Sequence, residues 1–229
     1  MNLLAFESSA KAASVALICD GKPIGEYFQA DGSTHSRTLL KMAEDLLRNC
    51  GLHADDLDAT AVAIGPGSFT GLRIGIGAAK GVAWGREIPC IGVSTLEAMA
   101  NCFSWDGVIC CCMDARRAQV YNALFDVSGT ECSRLCADRA IAVADLKCEL
   151  EKIEKRKILV GDGANVCYNT LGNLPGLILP PQHLVLQRAG GVAACAWRKL
   201  MQGDYEPAER LIPNYIRPSQ AEAARAEKE

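Results

Sequence analysis

Histidine is nearly absent: the 229 residues include only His35, His53 and His183. No two of them stand at i, i+4, the spacing that puts two imidazoles on one helix face where they share a cation. A helical two-histidine metal centre is excluded, and no metal is expected. No stretch of 18 or more apolar residues occurs, so no membrane-spanning helix is expected. The first residues, Met1-Asn2-Leu3-Leu4-Ala5-Phe6-Glu7, carry no basic segment and reach an acid early, unlike a secretory signal. A cytoplasmic location follows as the expectation. Positive charge is not in excess either. Lys and Arg total 24 against 27 Asp and Glu, a net charge of −3, which argues against a free-standing nucleic-acid binder and leaves room only for a local basic patch. The twelve cysteines contain no C-x-x-C pair. Most lie in apolar runs such as Ile109-Cys110-Cys111-Cys112-Met113, where successive strand residues alternate faces and cannot pair locally. They read as small buried hydrophobes in a reducing compartment.

What is present is most specific at Gly65-Pro66-Gly67-Ser68-Phe69-Thr70-Gly71-Leu72-Arg73-Ile74-Gly75. A strand-like apolar run over 59–64 precedes it, and a helical segment over 69–85 follows. The Gly-Pro-Gly turn has restricted geometry, and Ser68 or Thr70 can cap the helix. Interior glycines then recur, each costing roughly 0.5–1 kcal/mol against alanine. Something must offset that cost. The rows Gly71/Gly75/Ala79/Ala83 and Gly77/Gly81/Gly85 make small-residue faces that admit another backbone, either a partner's or the chain's own sheet. A phosphate cradle at the helix start is the other reading. The pattern G-x-x-x-x-G-K-[ST] is absent, however, and G-x-G-x-x-G fails at Thr70.

Periodicity predicts strands over 3–7, 13–19 and 24–29, a helix over 35–50, then strand 59–64, helix 69–85, strand 89–93 and helix 95–102. Leu39, Leu40, Ala43, Leu46, Leu47 and Cys50 form the apolar stripe of the first helix. The order then restarts with strands over 108–113 and 119–126. A shift of 107 residues places Glu7 on Asp114 and the 35–50 helix on 142–157; Val160-Gly161-Asp162-Gly163-Ala164 echoes Ile64-Gly65-Pro66-Gly67-Ser68. Two similar α/β lobes facing a cleft are expected: residues 1–102, the partner-binding lobe, and residues 103–229, whose C-terminal segment packs back on the first lobe. A helix is expected over 187–201, an extended segment over 207–218, and a frayed, charged end over 219–229.

Phe6-Glu7-Ser8-Ser9, Ala13-Ser14-Val15-Ala16-Leu17, His35-Ser36, the run from Gly65 to Gly75, Val93-Ser94-Thr95-Leu96-Glu97, Asp114-Ala115-Arg116-Arg117 and Tyr121 occur in an order and spacing that resemble the bacterial TsaB (YeaZ) family. The likeness covers nearly the whole chain and is strongest through residue 125. It implies a two-lobed actin/Hsp70/sugar-kinase-like fold, a duplicated ribonuclease H-like α/β unit of mixed sheets with flanking helices. It also implies a place in the machinery that puts a threonylcarbamoyl group on the adenosine beside certain tRNA anticodons. In that family the protein is a scaffold without catalytic residues or a cofactor. It pairs with the transferase paralogue TsaD and supports binding of the ATPase TsaE, it meets tRNA only through the complex, and a homodimer is a further expected assembly.

TsaD carries two metal-binding histidines at i and i+4 on the helix that corresponds to 35–50. Here i+4 from His35 is Leu39. Glu7-Ser8-Ser9 stands where nucleotide-binding members of the fold have a phosphate hairpin, but residues 8–13 contain no glycine. Arg116 and Arg117 mirror that hairpin in the second lobe, where arginines clamp phosphate or pair with acids across an interface. The partner contact is expected on the two first-lobe helices, through Ser36, Leu39, Leu40, Ala43, Phe69, Gly71, Leu72, Gly75 and Ala79. The rival class is an ATP-dependent kinase or hydrolase of the same fold acting alone.

Overall fold

The structure, a computed structural model, describes residues 1–217. The end expected to fray, 219–229, lies outside the described residues.

The first half holds strands β1 (Asn2–Glu7), β2 (Ala13–Cys19) and β3 (Lys22–Gln29), helix α1 (His35–Asn49), strand β4 (Ala59–Gly65), helix α2 (Phe69–Trp84), strand β5 (Cys90–Ser94) and helix α3 (Thr95–Ala100). Its sheet has the order β3-β2-β1-β4-β5; β1 pairs antiparallel with β2 and parallel with β4. Strand β1 is buried on both sides, which is why it reads as an unbroken apolar run. Leu4 and Phe6 meet α1 and α2 on one face, while Leu3 and Ala5 face the other side.

The second half repeats the plan with β6 (Gly107–Asp114), β7 (Gln119–Ser128), β8 (Glu131–Arg134), β9 (Arg139–Ala142), α4 (Val143–Glu151), β10 (Lys157–Val160), α5 (Ala164–Leu171), β11 (Leu177–Ile178), α6 (Gln182–Val185) and α7 (Ala189–Met201). Its sheet runs β11-β10-β6-β7-β8, the first sheet's order read from the other end, with β9 added beside β7. Glu7 ends β1 as Asp114 ends β6, so the shift of 107 residues superimposes equivalent strand ends. The helix expected over 142–157 stops at Glu151, and the buried strand Lys157–Val160 between β6 and β11 begins at its last expected residue. The β-branched and apolar character of that run suits a central parallel strand.

Helix α7 comes after the second sheet but packs on the first, burying Val192, Ala193 and Ala196 against Leu3, Ala5 and Ala16. Its cap residue, Arg188, contributes no side-chain cap, and the first sheet supplies one. The Ala189 N–H donates to Ser14 Oγ at 3.1 Å and the Gly190 N–H to Glu26 Oε1 at 3.0 Å. A carboxylate at a helix N-terminus is also favoured by the helix dipole. Residues 206–217 then run as a strap along the first lobe, bridging at Cys90 and pairing the Asn214 N–H with the Ile64 carbonyl at 2.7 Å.

All twelve cysteines are free thiols. Cys90, Cys110, Cys111, Cys112, Cys167 and Cys195 are buried, and burial raises the Cys111 thiol far above its ordinary range. Others sit nearer the surface, with Cys102 and Cys148 exposed. No helix among the described residues is long and apolar enough to cross a membrane.

Candidate functional site: an interlobe cleft and an outer helical face

Glu7, at the end of β1, and Asp162, on the loop after β10 in the second half, lie near enough for their charges to interact. Glu7 is fully buried; its Oε1 accepts from the Ser9 N–H at 2.6 Å, and its Oε2 has no partner among the described residues. Burial pushes its carboxyl up to about 7, and the nearby charge of Asp162 adds to the rise. Asp162, on the loop after β10, is raised by burial as well, and its Oδ1 accepts from Gln187 Nε2 at 3.0 Å. Ser9 Oγ and Gln187 Oε1 are likewise buried without a protein partner among the described residues.

Glycines bring the loops of each lobe against the ends of β1 and β6. A Cβ on Gly67 would lie 2.5 Å from the Ser9 carbonyl oxygen, and one on Gly71 would collide with that of Ser8. In the second lobe a Cβ on Gly161 would collide with the Cys112 carbonyl oxygen, and one on Gly163 would lie 2.9 Å from Asp114 N. The start of α2 is therefore filled by the chain's own β1–β2 turn, with the Ser68 N–H donating to the Ser9 carbonyl at 2.6 Å and Ser68 Oγ capping Gly71 at 3.2 Å.

This packing corrects the expected partner face. Gly71, Leu72, Gly75 and Ala79 are buried against the β1–β2 turn and the sheet; a Cβ at Gly75 would run into Ser8 Oγ. Leu39 and Ala43 are buried in the same core. None of the six reaches the surface, because α1 and α2 lay these residues on their own sheet. Phe69 is partly covered by Tyr215, its ring stacked at 4.1 Å. Ser36 and Leu40 do face outward, Leu40 with 54 % of its surface exposed.

The second glycine row, Gly77/Gly81/Gly85, which was not among the expected contact residues, has the opposite environment. Among the described residues nothing lies within 4 Å of a Cβ built on Gly77, Gly81 or Gly85. Trp84, at the end of this row, is 64 % exposed. The outer face of α1 and α2 therefore carries Leu40, a bare glycine row and Trp84. Burial could not be assigned to one row or the other from sequence, since both repeat every four residues.

His35 is held as a structural group. Its Nε2–H donates to the Ala10 carbonyl at 2.7 Å, and burial lowers its pKa. Leu39, at i+4, is in the core. Arg116 and Arg117 are both exposed on the β6–β7 turn.

The repeated strand order and the cleft between equivalent strand ends define a two-lobed α/β protein of the actin-like class. The family described as TsaD: tRNA N6-adenosine threonylcarbamoyltransferase matches residues 30–225. The tRNA threonylcarbamoyladenosine biosynthesis protein TsaB of Escherichia coli (strain K12) is 32% identical over 222 residues, covering 95% of each chain. Its namesake in Bacillus subtilis (strain 168) is 30% identical, covering 97% of each. The solved structure of YeaZ from Pseudomonas aeruginosa has a TM-score of 0.77 at 25% identity, covering 93% of this chain and all of that one. The chain belongs to the TsaB (YeaZ) branch of the TsaD family.

Proposed function

We propose that this chain is a non-catalytic subunit in tRNA threonylcarbamoyladenosine biosynthesis, pairing with a TsaD-like transferase through the outer face of α1 and α2. The carrying observation is that, among the described residues, nothing covers the Cβ positions of Gly77 and Gly81 on α2, while Trp84 on the same helix and Leu40 on α1 are exposed. Interior glycines cost helix stability, and among the described residues nothing packs on Gly77 or Gly81. Close approach by a partner's helices supplies the return, and the apolar side chains flanking the row suit the core of a stable interface. The names of the relatives support the pathway. Leu39 in the core at the i+4 position supports a subunit that leaves metal chemistry to its paralogue. A TsaE-like ATPase joins the pair, and a second copy of this chain is the alternative occupant of the same face.

The test is the mass of the assembly. The wild-type chain mixed with its TsaD-like partner gives a heterodimer on size exclusion with light scattering. Gly77→Leu and Leu40→Asp abolish pairing while circular dichroism stays unchanged. Folded variants that pair like wild type overturn this placement of the interface. The rival reading of an independent ATP-dependent enzyme is favoured by the unpartnered Glu7 carboxyl at the cleft. ATP turnover by the isolated protein that disappears in Glu7→Ala would establish it.

A further inference from the structure

We propose that the β6–β7 turn and the C-terminal strap form a strip that holds the phosphodiester backbone of an RNA, with Arg116 and Arg117 as its phosphate-binding side chains. The inference deepens the function proposed above and rests on its reading of the chain as a subunit acting on tRNA.

The turn between β6 and β7 is strained. Arg116, Arg117 and Ala118 take φ values of 63°, 53° and 55°, three left-handed non-glycine residues in succession. Each costs on the order of 1 kcal/mol or more. The conformation is held by Asp114 Oδ1, which accepts from the Arg116 N–H at 2.7 Å, and by the Gln119 N–H, which donates to the Arg116 carbonyl at 3.1 Å. Its product is a concentration of donors. Among the described residues no group accepts from the Arg117 or Ala118 N–H, and no carboxylate pairs with either guanidinium. Arg139 and Arg188, by contrast, each grip a glutamate. Two free guanidiniums beside two free backbone N–H groups make an anion-binding turn.

The strap extends this turn. Tyr215 stacks on Phe69 at 4.1 Å and 15°. The Arg73 guanidinium lies over Phe69 at 4.1 Å, and its Nε–H donates to Tyr215 Oη at 3.1 Å. Two residues later, Arg217 donates to the Ala115 carbonyl and the Gln119 side chain and lies over Tyr121. Arg217 thereby ties the strap, two residues beyond Tyr215, to the two residues that flank the arginine turn. Guanidiniums and aromatic rings thus occur together along the strap and at the turn. That arrangement fits single-stranded RNA, whose phosphates take the exposed Arg116 and Arg117 and whose unstacked bases stack on the exposed side of Tyr215.

The experiment uses the chain assembled with its TsaD-like partner, titrated into fluorescently labelled tRNA at several salt concentrations. R116A/R117A should weaken binding about tenfold and make the slope of log K against log salt less negative by about 1.5 to 2, the signature of two lost phosphate contacts. R116K/R117K should keep the slope, and Lys152→Ala, on the exposed end of α4, should change nothing. Unchanged affinity and slope in R116A/R117A overturn the proposal. So does loss of partner pairing in that variant, which would assign the arginines to a protein interface, or displacement of tRNA by ATP from the wild-type complex only. If the wild-type chain does not pair at all, the functional reading fails separately. Photo-crosslinking of the isolated chain to tRNA then decides: adducts at 115–118 and 215–217 support the strip, and their absence overturns it.

Discussion

The Ser8 backbone occupies the space a side chain at Gly71 would need: its carbonyl oxygen is in contact with the Cβ position, and its hydroxyl donates to the Gly71 carbonyl at 2.9 Å. Helix α2 is thereby fastened to the end of β1, and its two glycine rows have different physical roles. Gly71 and Gly75 permit an internal approach. Gly77 and Gly81 face open space.

The two rows therefore respond oppositely to alanine. Gly71→Ala must displace backbone, and overpacking of this kind costs roughly 1–3 kcal/mol. Gly77→Ala meets nothing and gains helix propensity, up to about 1 kcal/mol. Urea denaturation of the isolated chain reads both. A destabilised Gly77→Ala variant beside a neutral Gly71→Ala variant would show that the inward row has been misidentified.

Much of the first lobe was legible because each strand is an apolar run and each helix has a cap or stop, as at Ser68 and Gly51. The second lobe was harder. The shifted copy of α1 was expected over 142–157, whereas α4 ends at Glu151 and the four-residue strand Lys157–Val160, which follows a charged segment, gave too short an apolar run to be read as a strand. The duplication was visible in the pairing of Glu7 with Asp114, residues whose backbone positions are equivalent. The inward row of α2 was not legible, because a period of four residues does not say which side of a helix meets its sheet. The strap was expected as an extended segment over 207–218 returning to the first lobe, but its particular contacts were not: Tyr215 and Arg217 reach partners more than ninety residues away in sequence, and no local pattern encodes such a distance.

The docking of α7 gives a second prediction. Ser14 and Glu26, both on the first sheet, accept from the Ala189 and Gly190 N–H groups. Loss of a helix cap costs about 1–2 kcal/mol. Ser14→Ala and Glu26→Ala should each lower stability by that order, and hydrogen exchange should speed up first at the start of α7. Uniform acceleration across both lobes in either variant would mean that the contacts do not act as a local cap.

Glu7 gives the third, through pH. Its carboxyl is raised from the ordinary glutamate value to about 7, chiefly by burial. The folded chain therefore holds a proton there that the unfolded chain has released above about 4.5. Stability contributed by this group falls as pH rises through the window from about 4.5 to about 7 and is level above it. Glu7→Gln keeps an oxygen for the Ser9 N–H and removes the titration. The variant should gain on wild type progressively across that window, by an amount on the order of 3 kcal/mol at its upper end. Paired denaturation curves from pH 4.5 to 8 measure the difference. A gap that stays constant with pH would show that Glu7 is ionised at the same pH in both states, so that solvent or an ion reaches its Oε2. A gap that widens as predicted would identify the β1 end as a neutral, proton-bearing floor of the cleft, a chemistry suited to holding two lobes together and not to cradling a metal-bound phosphate.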